Sequence, residues 1–525
     1  MRKLGDFTTT TRVLPITLLA AAVGTLSAFL ALTLLKMIAF FTNVFVFQRL
    51  TTEASSPAQH HLGYGIVLVP IVGGLVIGLM ARYGSDKIRG HGIPEAIEAI
   101  LVRGSRVDPK VALLKPLSSA ISIGSGGPFG AEGPIIMTGG AFGSLVAQCF
   151  SLTSAERKTL LVAGAAGGMS AVFASPLAAT LLAVELLLFE WKPRSFLPVV
   201  VASAVAASLR PWLLGDGPVF PVVPHVVHPD ASLLLACVAC GLAGGALSTV
   251  LSKAIYVVED VFQKVPLHWM WWPAIGGAVI GLGGLVEPRA LGVGYDVIES
   301  LLAHDLALKA LLVLMVVKAF IWAISLGSGT SGGVLAPLLI LGASLGGLES
   351  HVFPALGTGF WPLVSMAAVL GGTMRSPLMA IVFALEITHD WAMALPLLVA
   401  VPVAYLFTVL VLRRSILTEK ISRRGLHLSA EYATDPLEIL FVREVMKVAA
   451  SDEAPPAAVA HAGEPLRVAV GRMARLGTTE LTVVEEGRIV GLFTLADALK
   501  ARVRHLEEEQ RRERVFPRRR GVSEA

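Results

Sequence analysis

Two stretches of this chain repeat each other. Residues 115–145 align with 318–348 at a constant offset of 203, and 12 of the 31 aligned positions are identical. The core reads Gly124-Ser-Gly-Gly-Pro-Phe-Gly-Ala-Glu-Gly-Pro134 in the first copy and Gly327-Ser-Gly-Thr-Ser-Gly-Gly-Val-Leu-Ala-Pro337 in the second. A second block follows in each: Ser175-Pro-Leu177 leads to Ala183-Val-Glu185, as Ser376-Pro-Leu378 leads to Ala384-Leu-Glu386. Each copy places a glycine-rich break before an apolar helix. Duplicated apolar halves broken at matching places point to a substrate site near the bilayer midplane of a transporter.

Composition agrees with a membrane protein. Of 525 residues 54% are hydrophobic and 15% charged, with a mean hydropathy of +0.72. No soluble globule has this balance, so the class is all-α polytopic membrane protein. Apolar runs recur from 13–47 to 377–412, yet 113–123, 338–348 and 361–370 are too short for a hydrocarbon core that needs about 20 helical residues. Short, broken and tilted helices are therefore expected. Arg2, Lys3 and Arg12 precede the first run, and Arg413, Arg414, Lys420, Arg423 and Arg424 follow the last. Both ends read as cytoplasmic by the positive-inside rule, at a plasma (inner) membrane, and the net charge of +5 needs no nucleic-acid partner. Cys149, Cys237 and Cys240 lie in apolar runs. The C-x-x-C at Cys237 lacks a second ligand pair, and it reads as packing rather than a metal or redox site.

The breaks carry the chemistry. Irregular backbone survives in a membrane only where protein buries it or it lines a polar cavity. A helix that starts there aims unpaired N–H groups and the positive end of its dipole at the cavity. Pro134 and Pro337 suit a first helical turn, and converging termini would hold an anion without a full cationic charge. Close helix packing is the plainer use of membrane glycines. It does not account for the same Gly-Ser-Gly start and terminal proline in both halves.

Three regions follow. Residues 1–425 form the transmembrane domain, with halves at roughly 13–215 and 232–425. Residues 426–505 form a small cytoplasmic α/β module, and 506–525 a charged, flexible tail. Within the module 467–476 and 497–504 have helical spacing, while 481–484 and 488–493 read as a hairpin turning at Glu486-Gly487.

Taken in order, Gly90-His-Gly-Ile-Pro94 with Glu95, Gly130-Ala-Glu-Gly-Pro134 and Gly333-Val-Leu-Ala-Pro337 resemble the motifs of the CLC family of chloride channels and chloride–proton exchangers. The resemblance covers residues 13–424. It implies the CLC fold, with two inverted-topology halves and broken helices, in a homodimer whose subunits each carry a pore. It also implies that Gly90, His91, Gly92, Ile93, Pro94, Gly130, Ala131, Gly133, Gly333, Val334, Leu335 and Leu417 surround chloride.

Glu132 matches the family's gating glutamate. An ionisable group in a membrane helix is costly, and a carboxylate at a helix start can occupy an anion site and leave it when protonated. The plainer reading is a carboxylate that stabilises its own helix dipole. His91 stands where many relatives have an anion-coordinating serine; it can bind the anion, narrow the inner mouth or face the cytoplasm. Leu335 replaces a usual phenylalanine, and Leu417 a tyrosine whose hydroxyl reaches the anion. Glu185 fits a family glutamate, but the proton-passing glutamate expected after it is Leu186; Glu190, one turn on, is the remaining candidate for the proton path. Glu185 and Glu386 occupy equivalent places, which favours a structural role at helix ends.

The tail module resembles one CBS module through Gly491-Leu-Phe-Thr494-Leu-Ala-Asp497. In that family Thr494 and Asp497 would hold the ribose of an adenine nucleotide; the plainer role is dimerisation or stability. No other cofactor and no metal is expected, and no nucleophile–base motif marks an enzyme. Loss of the serine, tyrosine and second glutamate favours channel-like or weakly proton-coupled chloride transport gated by Glu132. A chloride/proton antiporter is the alternative, and an adenine-nucleotide sensor the alternative of another class.

Overall fold

The computed structural model describes residues 9–303, 306–425, 437, 440–451 and 459–510. It divides into two compact units, Met1–Ala430 and Glu431–Ala525. In the first unit eight helices occur twice. The first half holds α1 (Val13–Thr42), α2 (Leu68–Tyr83), α3 (Ile93–Val102), α4 (Pro109–Gly124), α5 (Glu132–Gln148), α6 (Ser154–Phe173), α7 (Pro176–Leu182) and α8 (Pro193–Leu214). The second repeats them as α9 (Ala231–Lys264), α10 (Trp272–Val286), α11 (Tyr295–Ala303), α12 (Leu308–Gly327), α13 (Leu335–Glu349), α14 (Phe360–Met374), α15 (Pro377–Thr388) and α16 (Ala394–Val411). A last helix, α17 (Ile416–Arg423), has no counterpart among the described residues. Among the described residues seven helices are long and apolar enough to cross a membrane, and α7, α13, α14 and α15 belong to shorter apolar helices.

The packing repeats with the elements. Helix α1 lies on α4, α6 and α8 as α9 lies on α12, α14 and α16. The halves meet through α2 against α10 and α7 against α15. Without a hydrophobic driving force between helices in lipid, close backbone approach at small residues supplies the attraction. At the α2–α10 seam a Cβ on Gly74 would lie 2.3 Å from the Pro273 carbonyl, and one on Gly277 2.3 Å from that of Pro70. Gly139 and Gly164 bring α5 and α6 together in the same way. For these glycines the packing reading holds.

Arg12 pairs with Glu156 beside the start of α6, and the cavity there is completed by Arg194 at the start of α8. Helix α8, with 22 residues, is about 33 Å long, so residues 215–230 reach the opposite face. There His225 bonds Asp390 at 2.6 Å and Thr358 at 3.1 Å. Helix α9 returns to the first face, where Asp260 meets Arg423 of α17. Residues 12 and 424 therefore share a face, while α5 and α13 run from a common origin towards opposite ones.

The second unit holds a four-stranded sheet of order β1-β4-β3-β2, from β1 (Lys447–Ser451), β2 (Val459–His461), β3 (Glu480–Glu485) and β4 (Arg488–Thr494). Pairs β1/β4 and β3/β4 are antiparallel and β2/β3 is parallel. The expected hairpin is β3–β4, turning at Glu486 and Gly487 with φ 48° and 81°, a pair of positive values suited to a two-residue hairpin turn. Helices span Leu466–Leu476 and Leu495–Gln510. The second outruns its expected end at 504 and takes in the first residues of the expected tail; residues 511–525 lie outside the described ones.

Candidate anion site

Helices α5 and α13 begin at one point, deep in the first unit. Gly130 N–H donates to the Gly333 carbonyl at 3.2 Å and Gly333 N–H to the Gly130 carbonyl at 3.0 Å, an isolated antiparallel bridge between the two halves. Only glycine fits: a Cβ on Gly333 would lie 2.4 Å from the Gly130 oxygen. Helix α3 starts beside them. Gly90 and Gly92 precede it with φ 77° and 89°, where other residues are strained. A Cβ on Gly133 would meet the His91 carbonyl at 2.3 Å. Three helix starts therefore converge, with Ile93, Pro94, Ala131, Val334 and Leu335 all buried around them. Unpaired first-turn N–H groups and three positive dipole ends make this an anion-seeking place.

A carboxylate already fills it. Glu132 is completely buried, and its carboxyl faces its own N–H and that of Ala336 at the start of α13. The Tyr295 hydroxyl donates to Oε1 at 3.3 Å, and Oε2 has no partner. Sequence reasoning missed Tyr295. The signal was present: Gly292-Val-Gly294-Tyr295 repeats Gly90-His-Gly92-Ile93 at an offset of 202.

Two buried lysines hold these loops. Lys115 Nζ donates to the carbonyls of Ile88 at 2.8 Å and Gly90 at 2.6 Å, and to Ser331 Oγ at 3.1 Å. Lys318, its repeat partner, donates to Ala290 at 2.9 Å and Gly292 at 3.1 Å. Both are absent from the expected site, although the aligned pair was visible.

His91 is buried at 4% exposure with Nδ1 unpartnered, so its ring lies inside the protein rather than in open water. Leu417 is buried on α17, which Ser415 caps by accepting from Leu417 N–H at 3.3 Å and Thr418 N–H at 3.2 Å. One turn on, Lys420 approaches Gly90 and pairs with Glu95 at 3.0 Å; Arg424 adds 2.9 Å to Glu95 and a bond to Glu98. The end of the site beside α17 is therefore a charged collar.

The other two acids lie elsewhere. Glu185 sits in a π-helical turn, Ala183–Leu188, and accepts from Ser376 Oγ at 2.7 Å, Met379 N–H at 3.0 Å and Leu378 N–H at 3.2 Å. Glu386 accepts from Ala178 N–H at 2.8 Å and Leu177 N–H at 3.0 Å. Each half's glutamate thus caps the other half's broken helix, α15 or α7. Glu190 lies 3.3 Å from Lys158 and 3.4 Å from Arg194. Burial works against its charge, but those cations prevail and hold the carboxyl below its usual range. Thr494 and Asp497 bond each other: Thr494 Oγ1 donates to Asp497 Oδ2 at 2.6 Å, and Asp497 N–H to Thr494 Oγ1 at 3.2 Å, closing the start of the last helix.

Comparisons with known proteins identify the family. Residues 73–409 match the family described as voltage gated chloride channel. A protein of Ralstonia nicotianae named as ClcB-like chloride channel protein is 30% identical, over 65% of this chain and 81% of its own. The H(+)/Cl(-) exchange transporter ClcA of Salmonella arizonae is 30% identical, over 74% of this chain and 84% of its own. Among solved structures a slow cyanobacterial Cl-/H+ antiporter superposes with a TM-score of 0.70 at 20% identity, covering 78% of this chain and 97% of its own. With half of its length and more inside the family match, and the duplicated broken helices that match implies, the chain belongs to the voltage gated chloride channel (CLC) family.

Proposed function

We propose that the chain exchanges chloride for protons across a membrane, with Glu132 as the group that binds the proton and yields its place to the anion. The observation that carries this reading is the position of the Glu132 carboxyl, wholly buried where three helix starts converge and with one oxygen unpartnered. Ionised, it competes with chloride for the same N–H groups; protonated, it loses that attraction and can swing away. The missing serine, tyrosine and second glutamate favour a channel. Exchange has the better support, from relatives and a solved neighbour whose names specify H+ and Cl- together.

In this reading the face that carries Arg12, Arg194 and Arg424 is cytoplasmic, in keeping with the positive-inside rule. The working unit is a homodimer of one pathway per subunit. Thr494 and Asp497 serve the fold of the small module rather than a nucleotide, because each satisfies the other. The test is reconstitution into chloride-loaded liposomes with chloride efflux and proton movement recorded together. Exchange predicts uphill proton uptake driven by the chloride gradient, lost in Glu132→Gln while chloride efflux persists. Chloride efflux without proton movement in the native chain refutes exchange in favour of a channel.

A further inference from the structure

The loop Gly292–Tyr295 is the second half's copy of Gly90–Ile93, fastened by Lys318 to the carbonyls of Ala290 and Gly292 as Lys115 fastens Ile88 and Gly90. The loop is further fixed by Gly292 N–H, which donates to the Gly126 carbonyl at 3.1 Å. From it Tyr295 projects a ring held edge-on by Phe173 at 6.0 Å and Phe220 at 5.9 Å. The phenol oxygen faces the Ala131 N–H and donates to Glu132 Oε1 at 3.3 Å. Where the first half has Ile93, whose side chain has nothing to donate, the second offers a hydroxyl held between two rings to the Glu132 carboxyl.

We propose that Tyr295 is a positioning residue for the gate: its hydroxyl latches the ionised Glu132 carboxylate across the anion site and sets how acidic the solution must be before the carboxyl is released. This rests on the exchange reading above. The other charged groups around the pair are engaged or lie to one side. Lys115 and Lys318 are committed to the loop carbonyls, and Glu95 to Lys420 and Arg424. His91 lies behind Gly133, and Asp296 follows Tyr295 along α11. A cavity of about 430 Å³, lined by Tyr295 and Asp296 with Thr42 and Pro57, approaches the latch from the face opposite Arg12. Protons arriving from that face would meet the tyrosine before the glutamate.

A hydroxyl that donates to a carboxylate favours the charged form, so its removal makes Glu132 easier to protonate. Infrared titration of the full chain in lipid follows the carboxylic C=O stretch that Glu132→Gln abolishes. Tyr295→Phe keeps the packed ring and removes only the donor. Its midpoint should rise by roughly one pH unit, about a tenfold gain in proton affinity. Tyr295→Ile, which copies Ile93, should shift it the same way. Chloride efflux from liposomes should show the same displacement, while Tyr295→Phe added to Glu132→Gln should change nothing across the pH range. An unmoved infrared midpoint in a folded variant overturns the proposal, and so does an equal shift in efflux without Glu132. If the native chain carries no chloride, the exchange reading falls, and the infrared midpoint still decides for or against Tyr295.

Discussion

Replacing Glu386 by alanine strips both acceptors from the start of α7. Ala178 N–H, at 2.8 Å, is buried, whereas Leu177 N–H, at 3.0 Å, is partly exposed. A hydrogen bond to a charged group contributes roughly 1.5–3 kcal/mol, and the loss of the helix-dipole contact adds about 0.3–1 kcal/mol. Taking the low end for the exposed donor, Glu386→Ala should cost about 3–5 kcal/mol. Glu185→Ala removes three contacts from the start of α15, but Glu185 and Leu378 are less buried, so a loss of similar size is expected. Unfolding by a denaturing detergent, followed by tryptophan fluorescence, measures both. The informative pair is Glu185→Gln with Glu386→Gln, since each keeps one oxygen and loses the charge. If both acids are caps, the two variants lose stability to a similar degree and keep the native ratio of protons to chloride. Coupling lost in Glu185→Gln and kept in Glu386→Gln, at matched stability, would refute the reciprocal-cap reasoning and return Glu185 to the proton path.

Three further outcomes follow from the geometry. Glu190 has its carboxyl held low by Lys158 and Arg194, so its contribution to stability is present above the unfolded value near 4.5 and is lost as pH falls through the lower folded value. Glu190→Gln should therefore be destabilising at neutral pH and converge with the native chain in denaturant titrations as pH falls through that lower folded value, with no change in the pH profile of transport near neutrality. Gly333→Ala should push α5 and α13 apart, because its Cβ would lie 2.4 Å from the Gly130 oxygen; calorimetry should show chloride binding lost or greatly weakened, and native affinity would deny the bridge its role. Leu417→Tyr adds a hydroxyl on α17 and should tighten chloride binding by about one decade if that side chain faces the anion, a hydrogen bond to a charge being worth roughly 1.5 kcal/mol or more.

The duplicated glycine breaks were legible because backbone geometry dictates them: a bridge of two glycines and loops with positive φ admit few other residues. The repeat placed the breaks before Glu132 and Leu335, and the resemblance to the family's motifs added Gly90–Pro94; the structure brings the three helix starts together. Glu132 was legible for a different reason, the cost of an acid among apolar neighbours. Tyr295 was not, because an aromatic residue in an apolar stretch reads as packing until its hydroxyl finds a partner 163 residues away. Lys115 and Lys318 were aligned by the repeat but looked like isolated charges; only the fold reveals the carbonyls they satisfy. For Glu185 and Glu386 the sequence indicated helix ends, but not that each serves the opposite half. Cross-half partnership leaves no local trace.

The same symmetry explains why the two ends of the pathway differ. Both halves build one scaffold: a lysine ties down a Gly-x-Gly loop, and a broken helix starts beside it. The side chains placed on it diverge. Positions that hold His91, Ile93 and Glu95 in the first half hold Val293, Tyr295 and Val297 in the second, and Glu132 is matched by Leu335. The first loop consequently faces the charged collar of Glu95, Lys420 and Arg424, whereas the second presents one hydroxyl to one carboxyl. The collar's two cations, Lys420 and Arg424, are answered by Glu95 and Glu98, so it is a set of paired charges. A hydroxyl–carboxyl contact responds to protons. Duplication thus supplies a matched scaffold, and a handful of unmatched side chains leaves paired charges beside one loop and a hydroxyl–carboxyl contact beside the other.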